Sequence, residues 1–276
     1  MNDRRNRDVK TLLKSTYSIQ KNKFVTDGPR TDIQVPQEYK EKMWKLGEKY
    51  QNIIWLPLDI PKIELDDYDE FLKIWDEQSH KVLRIKPDAA EPWIKDEHPW
   101  GEKSSWNLAQ FNGLTLYGHP GIAWDTGTFA ARPYVGDIPM FERIVKQVFE
   151  YFPIHTMLTI FIWESKMGIA PHKDQSAYWK CPTEFRVMLH DENTEPTLYV
   201  ATDFTDTPVY IDLPEDTNSF CWSNGKCVHG STYHGKRKFI LCISGIQHSA
   251  QSDELFDRSI KKYKDKLNYT LDYDTK

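Results

Sequence analysis

Apolar residues recur at helical spacing in three stretches of the chain, and each stretch predicts an amphipathic helix. The second stretch starts at Asp66 and Asp67, either of which can cap a helix, and the third begins with Pro139, the residue type favoured at a first helical position. A fourth helix is also predicted, in a stretch that is polar and rich in lysine. The predicted helices cover residues 37–50, 66–82, 139–149 and 253–267.

Between residues 157 and 245 the pattern changes to short β-prone runs that are separated by turn-forming residues. Several short strands at close spacing are typical of a jelly roll or a barrel. One further apolar run, at 53–56, predicts a strand in the N-terminal part. The predicted fold class is therefore α+β, with a mainly β core and flanking helices. The strands of the core are expected at residues 157–163, 184–189, 197–201, 209–213, 218–222 and 238–244.

The same patterns divide the chain into three regions. Residues 1–104 are expected to form an N-terminal helical and loop region that packs on the core, residues 105–250 the strand-rich core, and residues 251–276 a C-terminal helix. With 39% hydrophobic and 28% charged residues, the 276-residue chain has the composition of a folded protein with a sizeable core.

Charge and cysteine usage narrow the environment and the partners of the protein. A net charge of −5 argues against nucleic acid, because nucleic-acid-binding proteins usually present a basic face. No run approaches the roughly 18 apolar residues of a membrane span, and the N-terminus lacks the apolar run of a secretory signal. The four cysteines include no Cys-x-x-Cys pair. We therefore expect a cytoplasmic protein with reduced thiols and no membrane partner; the sequence does not indicate the oligomeric state.

Candidate chemistry begins with the segment around Pro171, His172 and Asp174, which follows the apolar run at 157–163. Pro171 favours extended backbone, and in extended backbone residues i and i+2 point to the same side. His172 and Asp174 are therefore expected to face one side together. A histidine and a carboxylate at this spacing, joined by a distant histidine, form the ligand set of a 2-His-1-carboxylate iron site.

Two histidines can supply the third ligand. His229 follows the turn at residues 223–225 and lies at the start of a short predicted strand, whereas His234 lies in a segment with the composition of a loop. A third ligand is expected on another strand of the same barrel. The pattern therefore favours His229 and leaves His234 as the alternative.

Arg237 begins the final predicted strand, which extends to Gly245. Its planar guanidinium suits bidentate binding of a carboxylate, and a strand beside the ligand-bearing one can bring it into the same barrel. We expect Arg237 to bind the carboxylate of a cosubstrate, with Lys236 or Lys238 as alternatives. A single His-x-Asp pair or a basic run also occurs on solvated surfaces, so the prediction depends on the four residues occurring together and in this order.

The order and spacing of His172, Asp174, His229 and Arg237 resemble the Fe(II)/2-oxoglutarate-dependent dioxygenase superfamily over about residues 157–245. The resemblance implies a double-stranded β-helix (jelly-roll, cupin-like) catalytic core with flanking helices. It also implies Fe(II) held by the two histidines and the aspartate, and 2-oxoglutarate paired to Arg237. The cosubstrate would be consumed with O2 and converted to succinate and CO2.

Within the superfamily, residues 185–190 loosely resemble the aspartyl/asparaginyl β-hydroxylase-like and free-amino-acid hydroxylase branch, which places an arginine and a histidine on the strand after the His-x-Asp pair. Here Arg186 and His190 are four residues apart instead of two, which predicts that they share a strand face. Arg186 could bind a carboxylate of cosubstrate or substrate, or form a surface salt bridge. The element that starts at His229 is also similar to phytanoyl-type hydroxylases, so the branch stays open.

The sequence thus predicts an oxygenase that uses Fe(II) and 2-oxoglutarate to hydroxylate an amino-acid-like small molecule or a peptidyl side chain. Asp174 points to hydroxylation, desaturation or another oxidative outcome, because related halogenases lack the carboxylate. Arg132 could hold a substrate carboxylate or serve the structure. The alternatives are a non-catalytic, metal-binding cupin-like module and an interaction protein in which the His-x-Asp pair is incidental.

Overall fold

The computed structural model describes residues 24–26, 37–79, 83–84, 113–118, 130–164, 169–172, 184–202, 205–223, 227–232 and 235–264. Within these ranges the four predicted helices are present, with ends that differ by a few residues from the predicted ones. None of the four combines the length and the apolar character that crossing a membrane requires. The helices are α1 (Gln37–Lys49), α2 (Tyr68–Gln78), α3 (Pro139–Tyr151) and α4 (Ser249–Tyr263).

The same ranges contain thirteen strands in three sheets. The strands are β1 (Phe24–Thr26), β2 (Trp55–Pro57), β3 (Leu83–Arg84), β4 (Gly113–Gly118), β5 (Ala130–Pro133), β6 (Ile154–Glu164), β7 (Ile169–His172), β8 (Glu184–Asp191), β9 (Leu198–Ala201), β10 (Val209–Tyr210), β11 (Ser219–Trp222), β12 (Val228–Ser231) and β13 (Lys238–Gln247).

Six strands form the larger sheet, in the order β2-β11-β8-β13-β6-β4, and four form a second sheet, in the order β10-β9-β12-β7. The third sheet, β1-β5-β3, is small. Neighbouring strands are antiparallel throughout. Each predicted core strand corresponds to one of these strands, and the run at 53–56 corresponds to β2, which pairs with β11 at the edge of the larger sheet. The prediction of an α+β fold with a mainly β core is confirmed.

One face of the six-stranded sheet packs against the helices, and we call it the outer face. Phe239 of β13 contacts Phe71 and Trp75 of α2, with ring centroids 4.8 and 4.9 Å apart. The ring of Phe185 in β8 has its centroid 6.5 Å from that of Phe256 in α4. All five rings are buried, and burial of one such side chain typically contributes about 1.5–3 kcal/mol. Aromatic packing therefore holds the helices on the outer face.

The opposite face of this sheet, the inner face, carries the residues that alternate with Phe239, because successive residues of a strand point to opposite faces. Lys238 is one of them. Two contacts place the four-stranded sheet against the inner face. The ring of Trp222 in β11 lies 4.7 Å from the ring of His229 in β12, and Lys238 Nζ donates a hydrogen bond to Oγ1 of Thr197, the residue before β9. The two sheets therefore form a sandwich with its helices on one side.

Candidate functional site

The structure pairs two of the three predicted metal ligands across neighbouring strands. β7 ends at His172, and β12 runs antiparallel beside it with His229 directly opposite His172. Directly opposite residues of an antiparallel pair share a face of the sheet, and their Cβ atoms are typically about 4.5–5.5 Å apart. The backbone therefore brings the two histidine positions to one point of the four-stranded sheet.

The surroundings of His229 fit a metal ligand. Its side chain is buried, with 4% of its surface exposed, and its Nδ1 atom lies 3.3 Å from the carbonyl oxygen of Cys227. In the tautomer with the proton on Nδ1, the imidazole donates to this carbonyl and Nε2 carries the lone pair that binds metals. The ring also packs against Trp222 of the inner face.

The remaining predicted ligands lie beyond what the structure describes. Asp174 and His234 fall outside the described residues, and only the backbone of His172 is described. Within the described part of the chain, no group of three or more histidine, cysteine or acidic side chains is arranged to hold a metal ion. The metal centre therefore stays a prediction, supported by the register of His172 and His229.

Arg237, the predicted cosubstrate anchor, lies on the outer face beside α2, one residue before β13 begins. Its Nε donates to Glu164 Oε1 at 2.7 Å and its Nη2 to Asp76 Oδ1 at 2.8 Å. Its guanidinium carbon lies 5.1 Å from the ring centre of Phe239. Glu164 is buried and also accepts a hydrogen bond from Trp75 Nε1 at 2.9 Å. Arg237 is therefore part of an ion-pair network that joins α2, β6 and β13.

This network predicts a large stability effect of Arg237→Ala. The variant leaves the buried carboxylate of Glu164 without its nearest cation, which should lower the free energy of unfolding by about 3 kcal/mol. Arg143→Ala is the matched control, because it removes the ion pair between Arg143 and Asp66, whose side chains are 58% and 51% exposed. That loss should be about 0–1 kcal/mol. Urea denaturation measures both values, and equal losses in the two variants would contradict the prediction.

Lys238, the residue next to Arg237, is a buried cation on the inner face. Its side chain is completely buried, and its ammonium donates to Thr197 across the sandwich. Burial lowers the pKa of Lys238 to about 8, an effect that the nearby carboxylate of Asp191 partly opposes. The sequence alone predicts that Lys238 lies on the face opposite Phe239, because the residues of a strand alternate between faces. It does not predict which face that is until the face of Phe239 is known.

Arg186 lies on the inner face, and His190 does not. The guanidinium carbon of Arg186 is 5.6 Å from the ring centre of Trp222, and its Nη1 donates to the carbonyl oxygen of Phe185 at 3.0 Å. The ring of His190 stacks on Tyr68 of α2, with centroids 3.9 Å apart. The prediction that Arg186 and His190 share a face is wrong, because a β-bulge shifts the register of β8 between them.

Comparison with models of protein families finds no match, and comparison with curated proteins finds none. Among solved structures, the chain is similar to IDO from Bacillus thuringiensis, with 10% sequence identity, a TM-score of 0.27, and coverage of 86% of this chain and 100% of that chain. It is also similar to a prolyl hydroxylase from Trichoplax adhaerens in complex with a hypoxia inducible factor oxygen degradation domain peptide fragment, with 10% identity, a TM-score of 0.25, and coverage of 88% and 95%. At these TM-scores the similarities carry no argument about activity, so a proposal depends on the residues of this chain.

Proposed function

We propose that the protein is a non-haem Fe(II)- and 2-oxoglutarate-dependent oxygenase that hydroxylates an amino-acid-like small molecule or a peptidyl side chain, with succinate and CO2 as coproducts. The observation that carries this proposal is the register of β7 and β12, in which His172 lies opposite His229. The buried ammonium of Lys238, between the two sheets, supports it further.

We also infer that the two larger sheets form a jelly roll, or double-stranded β-helix. The support is the pairing of the eight strands from β6 to β13. The first pairs with the last, β7 with β12, β8 with β11, and β9 with β10. A long hairpin that folds over on itself has this nested pairing. A jelly roll is an eight-stranded sandwich of two Greek keys, which has this kind of strand pairing. In this interpretation the space between the sheets is the catalytic interior.

We propose His172, Asp174 and His229 as the ligands of Fe(II). Two histidines and one carboxylate on one side of the metal leave positions open for a cosubstrate and O2. The contact between His229 Nδ1 and the carbonyl of Cys227 supports this role, because it would hold the imidazole with Nε2 toward the metal. Bound iron would supply the activation of O2 for oxidation of a substrate C–H bond.

We propose Lys238, in preference to Arg237, as the residue that binds the far carboxylate of 2-oxoglutarate. The guanidinium of Arg237 contacts Asp76 and Glu164 on the outer face, whereas the ammonium of Lys238 lies inside the sandwich. A carboxylate would replace the solvation that this ammonium loses on burial with a charge-assisted hydrogen bond. Arg186 is the proposed second contact to a carboxylate of cosubstrate or substrate.

The proposed reaction consumes one O2 and one 2-oxoglutarate for each C–H bond hydroxylated; one oxygen atom enters succinate and the other enters the product. The task of the protein is placement of the reactants and exclusion of water. Lys238 would set the position of the cosubstrate along β13. Trp222, packed against the imidazole of His229, would cover one side of that ring and keep water from it.

The proposal is tested by anaerobic titration of the protein with Fe(II) and 2-oxoglutarate. We expect a weak visible charge-transfer band, of the kind given by an iron-chelated 2-oxo acid, that appears only when both are present. On admission of air, 2-oxoglutarate should be converted to succinate. Metal binding without the band or succinate would favour a non-catalytic cupin-like module instead, and no metal binding would favour an interaction protein.

A further inference from the structure

Arg132 is a buried cation to which the proposed function gives no role. It lies in β5, the middle strand of the small sheet, directly opposite Val25 of β1. The residues just after β5 also pair with β4, the edge strand of the six-stranded sheet. Tyr134 forms a β-bridge with Thr115, and the backbone N–H of Val135 donates a hydrogen bond to the Thr115 carbonyl at 2.9 Å. The backbone of Arg132 is therefore held between the small sheet and the sandwich.

The side chain of Arg132 occupies a slot that a glycine makes possible. It is 5% exposed, and its guanidinium carbon lies 4.3 Å from the ring centre of Phe161 in β6. A Cβ atom at Gly113 would lie 2.6 Å from both Cδ and Nε of Arg132, closer than non-bonded atoms approach. Because residue 113 is glycine, the arginine can lie across β4 and stack on Phe161.

Phe161 belongs to the inner face of the sandwich. It lies opposite Cys242 of β13, and Cys242 lies opposite Arg186 of β8. Residues directly opposite one another share a face of a sheet. Arg186 in turn lies beside Trp222, the ring on which His229 packs. The guanidinium stacked on Phe161 is therefore on the same face of the sheet as the proposed cosubstrate residues.

The position of Arg132 is distinct from that of Lys238. Cys242, the partner of Phe161, lies four residues along β13 from Lys238. With a rise of about 3.3 Å per residue and about 4.8 Å between strands, the backbones of Phe161 and Lys238 are about 14 Å apart. A five-carbon dicarboxylate such as 2-oxoglutarate is much shorter than this. The guanidinium over Phe161 and the side chain of Lys238 therefore belong to different positions along the inner face.

The chemistry of a stacked arginine indicates which anion it would take. The guanidinium lies over the ring of Phe161, and its N–H donors form a planar fork that matches a carboxylate. Burial strengthens such a charge-assisted pair. Resting on the proposed function, we propose that Arg132 is a specificity-determining residue that binds a carboxylate of the primary substrate. The site would then select a small carboxylate-bearing molecule over an internal residue of a peptide.

The test compares two probes of nearly equal shape, 4-methylpentanoate and 4-methylpentanamide, by calorimetry on the protein loaded anaerobically with Fe(II) and 2-oxoglutarate. The wild type should bind the carboxylate at least about 10-fold more tightly, the effect typical of a hydrogen bond to a charged group. Arg132→Gln should remove this preference, and Arg132→Lys should keep part of it. Equal binding of both probes by the wild type, or an unchanged preference in Arg132→Gln, would overturn the proposal.

Gly113→Ala is a second variant that keeps Arg132 in the chain. Its added methyl group collides with Cδ and Nε of the arginine, so the guanidinium must leave Phe161. The preference for the carboxylate probe should fall although the charge is retained, and a preference equal to that of the wild type counts against the proposal. Thermal melts followed by circular dichroism show which variants are folded, and the folded ones decide the outcome.

Lys238→Met separates this inference from the proposed function. In metal-free protein the variant should keep the preference for the carboxylate probe, because Arg132 and Phe161 are untouched. A preference that is lost in Lys238→Met and kept in Arg132→Gln would assign the probe to Lys238 and overturn the inference. Failure of the proposed function has another sign: no visible band forms with Fe(II) and 2-oxoglutarate, while the two probes can still be compared in the metal-free protein.

Discussion

Replacing His229 with alanine is expected to abolish the visible band given by Fe(II) and 2-oxoglutarate and to remove succinate formation. His229 is buried, contacts the Cys227 carbonyl through Nδ1 and lies opposite His172, so no other described residue takes its place in this register. Loss of a residue that only orients a metal ligand typically costs 10- to 100-fold in metal affinity, so loss of a ligand itself should cost more than about 100-fold. Anaerobic titration of the variant with Fe(II) measures this.

His190→Ala is the matched control for that experiment. His190 is a half-buried histidine of the same sandwich, but its ring stacks on Tyr68 at the outer face. Its removal should cost about 0.5–1.5 kcal/mol of stability, the contribution of an aromatic pair, and leave the band unchanged. If His229→Ala retains the band, the third ligand is another residue, and His234 is the first to replace.

The second large effect is expected from Lys238→Met, which should weaken binding of 2-oxoglutarate by roughly 10- to 150-fold, the equivalent of the 1.5–3 kcal/mol of a hydrogen bond to a charged group. Methionine fills a similar volume and removes the ammonium that donates to Thr197. Fe(II) affinity should change little, because the residue is not a proposed ligand. Titration of the iron-loaded variant with 2-oxoglutarate, read at the visible band, gives the dissociation constant.

The pH dependence of 2-oxoglutarate binding gives an independent test of the role of Lys238. Burial lowers the pKa of Lys238 to about 8, so the empty site holds an ammonium below this pH and a neutral amine above it. A carboxylate binds the ammonium, so the affinity for 2-oxoglutarate should be full below pH 8 and fall by about tenfold per pH unit above it. Lys238→Met should abolish this dependence.

Arg237→Lys is the matched control for Lys238→Met, because it keeps a cation on the outer face. The affinity for 2-oxoglutarate should be close to that of the wild type in this variant. The reverse result, with a normal affinity in Lys238→Met and a weakened one in Arg237→Lys, would restore Arg237 as the anchor.

Periodicity predicts the helices and most core strands because each has one apolar side. β4 (Gly113–Gly118) lacks this signal: all six of its residues are buried, so apolar and polar positions do not alternate, and glycine stands at both ends. β1 and β3 have only three and two residues and depend on pairing with β5. Such strands are set by tertiary contacts, which sequence periodicity does not record.

The site shows the same limit at the scale of single residues. The sequence names His172 and His229 as partners, but their direct opposition depends on a register between strands far apart in the chain. Arg237 and Lys238 are adjacent, so in a strand they point to opposite faces. Which of them points to the interior depends on Phe239, whose side chain packs against α2 on the outer face. A one-residue shift in strand register would therefore change both the pairing of His172 with His229 and which of Arg237 and Lys238 faces the interior. For His190, one bulge in β8 is enough to reverse the face.

The place of β13 has a consequence for how the chain is made. It is the last of the described strands, yet it lies in the middle of the six-stranded sheet, between β8 and β6. During synthesis β6 and β8 therefore leave the ribosome long before the strand that joins them. Until β13 arrives, each presents an open edge of the kind that pairs with other chains. The interval between the emergence of β8 and that of β13 is therefore the period in which both of these edges are open to pairing with another chain.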